Sequence, residues 1–113
     1  NENYIAFMDI MPVQKGHVLV VPKLEVDNIF DLPLDIYNGL FSFAREISIA
    51  MKKGINCKRI GVSVIGFEVP HAHIHLIPIN SISDMDFNKK KTMKKDELML
   101  LSKRISKFLK LSN

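Results

Sequence analysis

The sequence predicts an α+β domain, in which an antiparallel sheet of about five strands accompanies one long central helix and a C-terminal helix. Three observations predict this class. Short apolar runs are bounded by proline and glycine, one long segment of helical period lies between them, and there is no internal repeat or linker. The 113 residues suffice for one hydrophobic core but not for two. We expect a single domain over 1–113, with a motif-bearing core over 1–80 and a basic segment plus C-terminal helix over 81–113.

The first two strands are expected to form an antiparallel pair. Residues 4–10 are a short apolar run, and the segment after it contains Pro12 and Gly16, which are typical of a turn. The β-branched run 17–21 follows and is closed by Pro22. The pattern indicates a hairpin with a long loop.

A helix of about five turns is expected next. Asp31 is its expected N-cap, Pro33 falls in its first turn, and Gly54 follows two basic residues as a stop signal. Apolar residues at three- and four-residue spacing form one stripe, which comprises Ile36, Leu40, Phe43, Ala44, Ile47, Ala50 and Met51.

Two further strands are expected over 60–65 and 71–79, followed by a polar, lysine-rich stretch over 81–92 that is typical of a solvated loop. The final element is an amphipathic helix that should pack on the sheet or on a partner. Its apolar positions are Leu98, Leu101, Ile105, Phe108 and Leu109.

Composition excludes several classes of protein. No apolar run approaches the roughly 18 residues that span a bilayer, and no signal peptide is evident, so we expect a cytoplasmic protein without a membrane partner. Cys57 is the only cysteine, which excludes an internal disulfide and a cysteine-based zinc cluster within one chain. The net charge of +4 comes largely from lysines 89–91, 94 and 95, and no aromatic residues interleave with them, so no specific nucleic-acid partner is expected.

The segment from His71 to Ile77 is the most informative stretch for function. His71, His73 and His75 occupy alternate positions in an apolar run, so a strand would place the three imidazoles on one face. Three such rings are poor core material, and a metal ion or a phosphate is the ligand that they suit. Neighbouring histidines on a strand stand roughly 6.6 Å apart, which fits a phosphate group with its flanking oxygens better than one shared metal ion.

The order His-x-His-x-His followed by two apolar residues resembles the signature of the histidine-triad (HIT) nucleotide hydrolases and transferases. The stretches Phe7 to Pro12 and Gly16 to Lys23 are similar to the first two strands of that family. The resemblance covers roughly residues 4 to 79. It implies an enzyme that cleaves at the α-phosphate of a nucleoside phosphoramidate, a nucleotidyl conjugate or a dinucleoside polyphosphate and releases a nucleoside monophosphate such as AMP.

The resemblance also implies a role for each residue that matches the family motif. His73 would be the nucleophile that forms a nucleotidyl-histidine, His75 would contact the phosphate oxygens or the leaving group, and His71 and His17 would complete the polar arrangement. Asp9 would bind the ribose. The base pocket would include Ile5, Phe7 and Ile10. A purine nucleotide is the expected substrate, a homodimer is the expected assembly, and no cofactor or metal is required.

Elementary chemistry agrees with these roles. A neutral imidazole, with a pKa near 6.5, can act as a nucleophile at pH 7 when an acceptor holds its other nitrogen as N–H. A neighbouring imidazole can be protonated at that pH and donate to the leaving group.

Two departures from the family pattern bear on the substrate. Many members carry glutamine and then serine or threonine before the triad, whereas Phe67 and Glu68 occupy those positions here. An acid aimed at the phosphate would repel it, so Glu68 should face away, be protonated, or serve a different leaving-group chemistry. The second departure concerns the base pocket: the resemblance implies that relatives supply part of it from residues before the position of Asn1.

Two alternatives remain at this point. The first is a nucleotide-binding module that keeps the fold but has little turnover, as the substitution of polar donors by Phe67 and Glu68 would favour. The second is a metal-binding protein that uses His71, His73 and His75.

Overall fold

An antiparallel sheet with the strand order β1-β2-β4-β3 forms the centre of the structure, a computed structural model that describes residues 2–109. The strands are β1 (Tyr4–Met8), β2 (Val18–Pro22), β3 (Arg59–Ser63) and β4 (Ile74–Ile79), and the helices are α1 (Leu34–Gly54) and α2 (Lys95–Ser106). Short 3₁₀ turns lie at Ile29–Asp31 and Ile82–Met85. The predicted α+β class, the long helix and the C-terminal helix are confirmed, but the sheet of the described residues has four strands rather than about five.

The burial of residues in the hairpin of β1 and β2 distinguishes an inner face of the sheet from an outer face. Tyr4, Val18 and Val20 are buried against the helices, whereas Ile5 and Phe7 stay about half exposed on the other face. Phe7 pairs with Leu19, and Leu19 pairs in turn with His75 of β4. Because directly paired residues share a face, these side chains lie on the outer face. The sheet therefore presents His75 on the face that the helices leave open.

Helix α1 covers the inner face with a stripe at three- and four-residue spacing. Its buried residues are Leu40, Ala44, Ile47, Ala50 and Met51. The helix begins at Leu34 with Pro33 as its N-cap, so the expectation of an Asp31 cap was wrong, because Asp31 ends a separate 3₁₀ turn. Gly54 is the last helical residue rather than a stop beyond it, and a Cβ there would lie 2.9 Å from the Arg104 carbonyl oxygen. Gly54 thereby allows α2 to approach closely.

Helix α2 packs on α1 and on β1 through Ile105, which is buried, with Leu109 against the same core. This contact gives the predicted amphipathic helix its packing surface within the chain. The division of the chain into a core over 1–80 and a segment over 81–113 stays a prediction. Among the residues described, no helix is both long enough and apolar enough to cross a membrane.

Strand β4 begins at Ile74, so the expectation that His71 and His73 lie within it was wrong. The register pairs Val20 with Ile74, and its continuation would place Pro22 opposite Ala72. Proline has no N–H to donate, so the ladder stops there. The Ala72 amide instead donates to the Val26 carbonyl at 2.7 Å. The chain before β4 is thus held by the loop after β2.

Gly39 provides a test of the packing between α1 and β1. A Cβ at Gly39 would overlap the Tyr4 hydroxyl oxygen and lie 2.7 Å from Cζ of the same ring, whose hydroxyl donates to the Ile36 carbonyl at 3.1 Å. We expect Gly39→Ala to lower the free energy of unfolding by about 1 to 2 kcal/mol, because displacing the ring outweighs the gain in helix propensity of about 1 kcal/mol.

Urea unfolding followed by circular dichroism measures this change, with Ser42→Ala on the exposed side of α1 as the control for propensity alone. A Gly39→Ala protein as stable as the wild type would show that the Tyr4 ring is not fixed against the helix.

Candidate active site

His73 is buried and its ring has a defined proton arrangement. Its Nδ1 lies 2.7 Å from the His71 carbonyl oxygen, and since a carbonyl only accepts, Nδ1 carries the proton. In the neutral ring the lone pair is therefore on Nε2. This is the arrangement that a nucleophilic imidazole requires.

His71 supports this geometry through its backbone and its ring. Its carbonyl holds His73, and its own Nε2 donates to the Pro22 carbonyl at 2.8 Å. The ring of His71 is therefore directed to the end of β2 rather than into a row with the other two histidines. His73 and His75 do lie together, with ring centroids 4.8 Å apart at an angle of 71°.

His17 and His75 form a hydrogen-bonded chain that begins at the backbone. The Val13 amide donates to Nδ1 of His17 at 3.1 Å, so the neutral His17 ring carries its proton on Nε2. That Nε2 lies 2.9 Å from Nδ1 of His75, which must accept. His75 in turn carries its proton on Nε2, and this N–H is the free donor at the end of the chain.

Burial keeps both of these rings neutral. It lowers the pKa of His17 to about 4, with the nearby Lys90 and His73 adding to the shift and Asp9 opposing it. Burial also accounts for most of the shift that lowers the pKa of His75 to about 4, and the neighbouring His17 and His73 contribute to the same shift. The expectation of a protonated neighbour at pH 7 was wrong for these rings in the free protein. They present a neutral N–H rather than a cationic one.

Asp9 lies beside this chain at the end of β1. Its Oδ1 accepts from the Met11 amide at 2.9 Å, and its Oδ2 lies 3.8 Å from Nε2 of His17. Ile10 follows Asp9 and is 72% exposed. With Ile5 and Phe7 on the outer face of β1, the residues predicted to bind the nucleoside occupy one edge of the sheet.

A separate cleft of about 280 Å³ lies beside His73. It is lined by the loop 27–30, the segment 64–67, Ala72 and His73. None of Ile5, Phe7, Asp9 and Ile10 lines it. His73 is therefore the site residue that the cleft reaches.

The segment after β4 contributes residues that the sequence analysis did not assign to the site. The Phe87 ring lies edge-on to His75, with centroids 4.8 Å apart, and 6.3 Å from the His17 ring. The Lys91 amide donates to the Pro12 carbonyl at 2.7 Å, and its Nζ donates to the Val13 carbonyl at 3.2 Å. An aromatic residue within a polar, lysine-rich stretch was the available signal.

Glu68 is ionised and paired rather than protonated. Nζ of Lys90 donates to its Oε2 at 2.6 Å, and this bond holds the pKa of the Glu68 carboxyl below its usual value. Phe67, at the other unusual position, is 94% exposed. Glu68 therefore brings no uncompensated negative charge to the histidines.

The best candidate for a metal site is not the expected histidine set. Within the described part of the chain, Asp9, His17 and His75 offer ligand atoms within 4.8 Å of one another, whereas His71 and His73 each commit one nitrogen to a carbonyl. His17 fits poorly as a ligand because Nδ1 already accepts from Val13, so binding through Nε2 would require loss of the remaining ring proton. The donor set suits a chain of hydrogen bonds better than a metal ion.

Fold and site together define a class of protein. A family model described as the HIT domain matches residues 1–82, which is well over half of the chain. The chain belongs to the HIT family. This confirms the resemblance drawn from the histidine motif and the first two strands.

Individual relatives place the chain within that family. An uncharacterised HIT-like protein of Saccharolobus solfataricus is 33% identical over 104 residues, covering 86% of this chain and 73% of that protein. The crystal structure of a HIT-like protein from Bartonella henselae superposes with a TM-score of 0.84 at 26% identity, covering 96% of this chain and 82% of the other.

Two relatives are named as enzymes. The adenosine 5′-monophosphoramidase of Saccharomyces cerevisiae is 34% identical over 65% of this chain. The asymmetrical bis(5′-nucleosyl)-tetraphosphatase of Schizosaccharomyces pombe is 31% identical, also over 65% of this chain. This chain spans 47% and 43% of the length of these two enzymes, respectively.

The low pKa values of His17 and His75 predict how the site responds to acid. We expect the ring proton resonances of these two histidines to stay unchanged in NMR spectra from pH 7.5 to 5, because protonation begins only near their pKa of about 4. Unfolded histidines titrate near 6.5, so between about pH 6.5 and 4 only the unfolded chain takes up these protons. The free energy of unfolding should therefore fall as the pH falls through that window.

In His17→Gln, which removes one titrating ring, the fall between those pH values should be smaller than in the wild type. Midpoints near pH 6.5 for both rings in the folded protein would contradict the neutral chain.

Proposed function

We propose that the protein is a nucleotide hydrolase or transferase that cleaves at the α-phosphate of a nucleoside phosphoramidate, nucleotidyl conjugate or dinucleoside polyphosphate. It releases a nucleoside monophosphate such as AMP through a nucleotidyl-histidine intermediate. The observation that carries the proposal is the proton arrangement of His73, whose Nδ1–H donates to the His71 carbonyl and leaves the Nε2 lone pair available. The relatives named as a phosphoramidase and a tetraphosphatase support it.

The first step is attack of His73 Nε2 on the α-phosphorus. A P–N bond forms, and the bond from phosphorus to the leaving group breaks with its electron pair. A phosphate leaves as its anion, whereas an amine leaves after its nitrogen has taken a proton from solvent. The His71 carbonyl accepts a hydrogen bond from Nδ1–H and thereby stabilises the positive charge that the ring gains. Burial of the ring protects the intermediate from uncontrolled access of water.

His75 stabilises the charge that moves to oxygen. Its Nε2–H, oriented by His17 and ultimately by the Val13 amide, donates to a phosphate or leaving-group oxygen. Water then attacks the phosphorus of the nucleotidyl-histidine, and the P–N bond breaks with its electron pair returning to Nε2. The monophosphate leaves, and the proton that water loses goes to solvent. No step in this scheme requires a metal ion.

The nucleoside is bound along the edge of β1. The Asp9 carboxylate binds the ribose hydroxyls, for which its Oδ2 must turn from His17, 3.8 Å away. The exposed side chains of Ile5, Phe7 and Ile10 provide apolar surface for a purine base.

The assembly that we propose is a homodimer. Strand β3 is at the edge of the sheet, and its Val62 is 56% exposed. An exposed apolar edge strand is a ready surface for another chain, and a second copy would extend the sheet. Light scattering on the purified protein tests this assembly.

The activity is tested by AMP release from adenosine 5′-phosphoramidate, with and without chelator. We expect chelator-resistant turnover by the wild type and a loss of about 10³-fold or more in His73→Ala, since removing a nucleophile abolishes the step that it performs. His73→Gln is the matched variant, because its amide can still donate to the His71 carbonyl but offers no nucleophilic nitrogen. A mass increase of one nucleotidyl group on the wild type, absent in both variants, would identify the intermediate.

Other outcomes select between the alternatives. Loss of turnover with chelator would favour a metal-dependent protein. AMP binding without release of product from any of the three substrate types would favour the nucleotide-binding module, which the exposure of Phe67 and the pairing of Glu68 would then explain.

A further inference from the structure

An ion pair that the mechanism does not use lies beside the histidines. Glu68 belongs to the segment just before the triad, and Lys90 belongs to the segment that carries Phe87. The charge of Lys90 lowers the pKa values of His17 and His75, and the charge of Glu68 acts on the pKa of His75 in the opposite direction. Both members of the pair are therefore within electrostatic reach of the reacting groups.

Lys90 lies in a lysine-rich stretch, but contacts made by residues on either side of it fix its position. The next residue, Lys91, is fixed by its amide to Pro12 and by its Nζ to Val13, the residue whose amide orients His17. On the other side, Phe87 packs edge-on against His75. Lys90 is held between two contacts to the site, whereas Lys89 has no side-chain hydrogen bond or ion pair among the described residues.

The bond to Glu68 is one that Lys90 can readily exchange. The Glu68 side chain is 73% exposed and that of Lys90 is 29% exposed, so water competes for the pair. Ion pairs of this kind are weak, whereas an ammonium bound to a phosphate oxygen makes a charge-assisted hydrogen bond to a group of higher charge. A phosphate near Lys90 would therefore displace the carboxylate.

Neither His17 nor His75 offers a positive charge to a polyphosphate. His17 and His75 are neutral at pH 7, and Asp9 adds a carboxylate 3.8 Å from His17. His75 accepts from His17 at Nδ1, so gaining a proton there would set two N–H groups against each other. A leaving group that departs as a phosphate needs no proton from the site, but it does need a cation.

We propose that Lys90 is a specificity-determining residue that leaves Glu68 to bind the phosphates of the leaving group. The inference rests on the proposed cleavage at the α-phosphate and adds the residue that selects among its substrates. A nucleoside polyphosphate conjugate gains the contact with Lys90. A phosphoramidate, which releases ammonia or an amine, does not, so Glu68 and Lys90 remain paired during its hydrolysis.

The kinetic test compares kcat/KM for diadenosine tetraphosphate and adenosine 5′-phosphoramidate. We expect Lys90→Gln to lower kcat/KM for the tetraphosphate by about tenfold and for the phosphoramidate by less than about twofold. Glu68→Gln should raise kcat/KM for the tetraphosphate, because it frees Lys90. Lys89→Gln removes the same charge from the same segment and is the matched control. Equal losses for both substrates, or equal losses in the Lys89 and Lys90 variants, would overturn the proposal.

Binding gives a second test that does not depend on turnover. On a His73→Ala background, we expect Lys90→Gln to weaken binding of ADP by about five- to tenfold and to leave binding of AMP unchanged, since only ADP places a phosphate beyond the α-position. Titration calorimetry measures both constants. Binding of both nucleotides without any effect of Lys90→Gln would overturn this inference alone, whereas binding of neither by the wild-type chain would overturn the proposed function with it.

Discussion

The hydrogen bond from the Val13 amide to Nδ1 of His17 determines where the ring protons of His17 and His75 lie. A backbone amide can only donate, so His17 must accept there and donate through Nε2, and His75 must accept in turn. Two buried rings thus acquire one direction of hydrogen bonding from a group that cannot titrate. The arrangement also resists protonation, because an added proton would have to oppose the direction that Val13 imposes.

One face of the sheet packs on the helices, and the other face carries residues of the site. On the inner face α1 supplies the apolar stripe that stabilises the fold, and the pair of α1 with α2 is brought close by Gly54. The outer face carries Phe7, Leu19 and His75 across three neighbouring strands. His75 therefore stands on a strand whose position is set by packing on the opposite side of the sheet.

Features encoded by local periodicity could be predicted from the sequence. The stripe of Leu40, Ala44 and Ile47 indicates α1, and the histidine motif indicates the family and the proposed nucleophile. The start of β4 could not be predicted, because it depends on Pro22 lying opposite Ala72, a relation set by long-range register. In the same way, a stretch rich in lysine does not reveal that Phe87 meets His75 or that Lys90 meets Glu68, since both contacts join separate parts of the chain.

Two hydrogen bonds join the chain before β4 to the loop after β2, and they limit how the length of that loop can change. The Pro22 carbonyl accepts from the His71 ring and the Val26 carbonyl accepts from the Ala72 amide, so the two ends of this connection hold the two residues just before His73. We expect that inserting or deleting a residue between Pro22 and Val26 would displace one of these bonds relative to the other and disturb the backbone that holds the His73 ring. The length of this connection is therefore constrained by the site, because His71 must keep its place for its carbonyl to hold the His73 ring.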